Sequence, residues 1–183
     1  MGLNWLFTTI ISVLVQPEAF WKDAKEQLGE VNAMRDYATP LITIAQLCKL
    51  PFIGVPRMAM LLAIAGFVID VSVLYLLSGA IGSLAGPDRS DALHVDVMTV
   101  LCFSLTPVWL AEPFYILGVW RWLVMAAALL YAVLIARFGM HALLDLESAK
   151  IEALSKKSGV LMATATFISF MLIGGLIRFL TSI

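Results

Sequence analysis

Residues 58–85 read Met-Ala-Met-Leu-Leu-Ala-Ile-Ala-Gly-Phe-Val-Ile-Asp-Val-Ser-Val-Leu-Tyr-Leu-Leu-Ser-Gly-Ala-Ile-Gly-Ser-Leu-Ala, an apolar run interrupted by a single ionisable residue, Asp70. Crossing a bilayer as a helix takes roughly 20 residues, so this stretch reads as a transmembrane helix. Backbone in lipid must be helical or closed into a barrel, and no ten-residue alternation of strand type occurs, which makes the fold class all-α. The rest of the chain agrees. Its 183 residues are 61% hydrophobic and 14% charged, with a mean hydropathy of +0.95. Soluble domains run at about 45–50% apolar and 25% charged, which excludes an ordinary soluble enzyme and a disordered chain. A net charge of −1 offers no basic field to a nucleic acid.

Outward from that run, further spans are expected at about Ala38–Val55, Val95–Ala111, Trp120–Ala136 and Ser158–Leu180. The expectation is therefore a polytopic membrane protein of five helices, with a membrane domain over 38–183 and an interfacial, amphipathic segment over 1–37. The first fifteen residues have no basic residue before their apolar stretch and no small-x-small site after it, so they read as an interfacial or partly buried helix, too short to cross, rather than as a signal peptide. Pro17-Glu18 opens a second helix with apolar Phe20, Ala24, Leu28 and Val31 on one stripe. It is expected to lie flat at the headgroups with Trp21 at the interface. With the N-terminus cytoplasmic, eight of the 12 basic residues fall inside and four outside, which orients the chain N-in and C-out.

Several short motifs are similar to the bacterial branch of the Yip family, the Ypt/Rab-interacting membrane proteins. They are Pro17-Glu18-Ala19-Phe20-Trp21, Tyr37-Ala38-Thr39-Pro40-Leu41, Ser104-Leu105-Thr106-Pro107-Val108-Trp109-Leu110, and the run from Leu129 to Met140. They occur in order over about Pro17 to Leu180. The resemblance implies a five-helix, N-inside architecture and carries over no catalytic motif.

Ionisable residues within spans are the first places to look for function, since each costs roughly 2.5–3.5 kcal/mol at mid-membrane. Three are candidates: Lys49, Asp70 and Glu112. Lys49 is expected to snorkel outward, Asp70 to be bonded to a hydroxyl such as Thr99 or Thr106, and Glu112 to be interfacial. A Lys49–Asp70 ion pair or a proton relay through Asp70 are the alternatives. His94 with Asp91, and His141 with Asp145, sit at helical spacings that suit a metal only if two helix ends meet. No catalytic or nucleotide-binding motif occurs, and no metal or cofactor is expected. Ser78, Gly82 and Gly86, and likewise Ala128, Ala132 and Ala136, recur every four residues. Such stripes allow close helix contact inside the bundle, or against another membrane protein or a second copy. The functional expectation is a non-enzymatic scaffold or accessory subunit for other integral membrane proteins in the lipid bilayer. A small permease or ion/proton-translocating unit using Asp70 is the alternative.

Overall fold

The computed structural model describes residues 2–27, 31–53, 56–85, 91–116, 118–144 and 146–181. Helices α1 (Leu3–Val15) and α2 (Pro17–Gln27) are followed by a π-helix (Ala33–Ala38) that runs into α3 (Thr39–Ile53). Then come α4 (Pro56–Ala85), α5 (Asp91–Ser104), α6 (Thr106–Ala111), a 3-10 turn (Glu112–Ile116), α7 (Trp120–Leu143) and α8 (Ser148–Thr181). No strand occurs among the described residues.

Four helical segments are long and apolar enough to cross a membrane: Pro56–Ala85, Leu93–Phe114, Trp120–Leu143 and Ser148–Leu176. The expected first span is a shorter helix of 15 residues with Pro51 inside it. The expected third span is jointed. Proline cannot donate a backbone hydrogen bond, and Pro107 begins α6 just after α5 ends at Ser104. Before the expected last span lies a polar stretch, Ser148 to Lys157. It is the first three turns of α8.

Packing places the jointed α5–α6 segment at the centre, 61% of it buried against 28%, 33% and 22% for the other three. Helix α4 packs on α3, α5 and α8, while α7 packs on α2, α5, α6 and α8. Outward faces are apolar, with Leu76 and Leu130 each 73% exposed. That is the arrangement a hydrocarbon solvent permits.

The N-terminal helices pack onto the bundle, and the side chain expected at the interface is among the residues they bury. Trp21 is buried to 1% exposure, because α2 docks on α7 where Gly139 leaves room for its ring. A Cβ at Gly139 would stand 2.8 Å from Trp21 Cζ2. Trp21, Phe20, Phe103 and Tyr37 form one aromatic group, with ring centroids 4.3 to 5.9 Å apart along the chain of contacts. The Tyr37 hydroxyl meets the Thr106 hydroxyl at 2.8 Å. The hydroxyl of Tyr131 donates to the carbonyl of Leu14, fastening the end of α1 to α7. Leu6, Ile10, Val13, Trp21 and Ala24 thus share one buried cluster with the long helices.

Candidate functional site: a buried polar cluster

Four helical elements bring polar side chains to one place in the bundle. Gln46 and Lys49, three residues apart on α3, share a helix face, as do Gly66 and Asp70, four apart on α4. Glu112 opens the 3-10 turn after α6. Thr166 and Ser169 share a face of α8. All lie among apolar helices, where an unpaired polar group is costly.

Gln46 is the hub. Its Nε2 donates to Asp70 Oδ2 at 2.7 Å and to Glu112 Oε2 at 2.9 Å, which uses both amide hydrogens. Lys49 Nζ donates to the same Glu112 Oε2 as an ion pair. Gly66 makes this possible, since a Cβ there would stand 2.4 Å from Gln46 Oε1. That oxygen is buried and has no hydrogen-bond partner among the described residues. Beside the cluster lies a cavity of about 20 Å³, lined by Asp70, Glu112, Thr166 and Ser169 with Trp109 and Phe170 among its apolar walls. A site needs roughly 10–15 Å³ and polar partners to hold one water, and this one offers both.

The sequence expectations fare unevenly here. Asp70 is buried, and it lies at the midpoint of the 30-residue α4. Its hydrogen bond goes to an amide rather than to a hydroxyl. Thr99 instead donates to the carbonyl of Val95, and Thr106 to that of Phe103. Lys49 does not snorkel outward; it turns inward and is 15% exposed. Glu112 is not interfacial but 3% exposed. Pro113 cannot continue a regular helix, and the tighter turn that follows packs on α3 and α7, carrying Glu112 inward. The ion pair is therefore Lys49–Glu112 and not Lys49–Asp70. Gln46, Gly66, Thr166 and Ser169 escape a search for charged residues. Their only trace in the sequence is helical spacing relative to Lys49, to Asp70 and to each other.

The other candidates separate. His94 packs its imidazole on Gly82, where a Cβ would stand 2.7 Å from its ring, whereas His141 is exposed. Asp145 and the side chain of Asp91 lie outside the described residues, and no group of three or more potential metal ligands occurs among those described. Ser78, Gly82, Ala132 and Ala136 are buried within the bundle, and Ala128 is half-buried. Gly86 lies outside the described residues. Comparison of the chain with protein-family models, with curated proteins and with solved structures found no match.

Proposed function

We propose that this multi-pass membrane protein is a small ion-translocating unit whose buried cluster takes up and releases one proton or one monovalent cation. The observation that carries this reading is a charge imbalance: two carboxyl groups, Asp70 and Glu112, line a cavity the size of a water molecule, and one ammonium, Lys49, pairs with Glu112. With both carboxyls ionised the cluster has a formal charge of −1; one bound proton or monovalent cation brings it to zero. Ionisable groups at such depth mark ion and proton pathways by default. Among the described residues the small-residue stripes are occupied largely by packing within the bundle, which leaves little of them to a partner.

The test is flux in liposomes loaded with a pH-sensitive dye under an imposed proton gradient, and with a cation-sensitive dye under an imposed monovalent-cation gradient. Wild-type protein should dissipate the gradient, and Asp70→Asn should not, since an amide can accept from Gln46 but cannot exchange a proton. Equal flux in the two, or flux no greater than in empty liposomes, overturns the reading.

The reading includes five crossings, N-in, in a bacterial inner membrane. The π-helix and α3 support the fifth. Together they form a continuous helical segment of 21 residues from Ala33 to Ile53, about the 20 that a crossing takes, packed on α4, α5 and α6. The Yip resemblance rests on the same motifs as before and adds the same five-helix architecture.

A second reading, an accessory subunit for other membrane proteins, is supported by α1. Its Leu3, Phe7, Ile11 and Val15 form an outward apolar ridge, each more than half exposed. Loss of a co-purifying chain on Phe7→Ser, with an unchanged melt, would favour it.

A further inference from the structure

A groove of about 960 Å³ runs between the π-helix, α4 and α5, apart from the ion cluster. Its two ends differ in chemistry. Asn32, Arg35 and His94 line one end, Phe67 and Val71 line the other, and Met98, one turn along α5 from His94, lies between them. Along α4 it extends from Phe67 to Gly79, about 18 Å at 1.5 Å per residue. That matches one leaflet, half of a hydrocarbon core roughly 30 Å thick. Its depth is matched too: Phe67 and Val71 flank the midpoint of α4, while Arg35 and His94 sit toward the end of α4 that finishes at Ala85. The flanks Tyr75 and Val95 are 57% and 63% exposed, so the groove opens sideways, where lipid would lie.

The geometry points to a phospholipid of that leaflet as the occupant, its phosphate on Arg35 and His94 and an acyl chain along Phe67, Val71 and Met98. The inference uses only the crossing of α4 and α5, and does not depend on the ion reading. Charge and hydrogen-bonding capacity support it. Arg35 gives two of its five N–H groups to Asp36, from Nε at 2.8 Å and Nη2 at 3.1 Å, and keeps three for a phosphate. Asp36 offsets part of the cation's charge, so recognition rests on these N–H donors, with His94 and the Asn32 side chain beside them. Asn32 Oδ1 is itself engaged, accepting from the Arg35 backbone, which leaves its amide hydrogens for the ligand. The π-helix that sets Arg35 at the rim is a form often found at functional sites.

The experiment is native mass spectrometry of the delipidated full chain titrated with dioleoyl phosphatidylglycerol. Wild type should hold one lipid that survives detergent release. Arg35→Gln should bind it about ten-fold more weakly, as loss of charged hydrogen bonds implies. Gly79→Trp should fill the groove and abolish the bound lipid with an unchanged melt, because a Cβ at Gly79 meets nothing within 4 Å. Leu130→Trp, on the exposed face of α7, should change nothing. Equal lipid retention by Gly79→Trp and wild type would overturn the proposal, as would equally tight binding of soluble glycerol phosphate. So would disulfide-linked dimers of a Gly79→Cys variant, which would make a second copy the occupant. Photoactivatable phosphatidylglycerol applied to wild type supplies a check free of variants. Adducts at Phe67, Val71 or Met98 are expected, and adducts confined to other faces overturn the assignment.

Discussion

Glu112 and Lys49 depend strongly on each other, because both are withdrawn from water. Removing one partner of a buried pair costs about 3–5 kcal/mol, since the other charge stays behind unpaired. Glu112→Gln is expected to cost less than that, about 1.5–3 kcal/mol in a detergent melt, because the Asp70 carboxylate stays in the cluster to offset Lys49, which is also 15% exposed. Replacing both, as Lys49→Met with Glu112→Gln, should recover most of the loss. A single variant that melts like wild type would mean that Lys49 finds water. Gly66→Ala tests the hub from the other side. The added methyl meets Gln46 Oε1, and Gln46 is held by two hydrogen bonds and has no easy retreat. An overpacking loss of about 1–3 kcal/mol is expected, measured by the same melt.

Between elements, glycine sets how closely helices approach. Gly82 lies under the His94 imidazole and Gly139 under the Trp21 indole. Gly82→Leu drives four heavy atoms into the α4–α5 contact and should lower the melt by about 1–3 kcal/mol. An unchanged melt would mean that His94 swings clear at no cost. Gly139→Ala should act more locally. The indole is buried and ringed by Phe20 and Phe103, so α2 itself must lift from α7. Faster hydrogen exchange confined to Pro17–Gln27 is the expected signature. Protection equal to wild type would show that the ring slides instead.

For the whole molecule, parity decides the number of crossings. Four crossings return the C-terminus to the side of the N-terminus, and five place it opposite. A reporter active only in the cytoplasm, fused after Ile183, should stay dark if α3 crosses with the other four and the N-terminus is inside. A bright reporter, with a cytoplasmic N-terminus confirmed by a second fusion, would remove α3 from the set of spans.

The apolar class, the helical fold and the four long spans were legible because hydrophobic run length is a local property, and lipid leaves helices as the solution for such runs. Asp70 stood out for the same reason, a single carboxyl in a long apolar stretch. The partners did not. Whether Lys49 meets water or Glu112, whether Gln46 serves as a hub, and whether Trp21 faces headgroups or Gly139 depend on how helices far apart in the chain rotate and tilt against one another. Spacing places two residues on one face but does not say what that face meets. The sequence by itself determined an all-helical chain with four helices apolar enough to cross a membrane, and the single carboxyl inside the longest apolar run, Asp70. Only the tertiary structure decided that Asp70 shares an amide with Glu112, because burial forces each polar group to find a partner and packing alone selects which one is within reach.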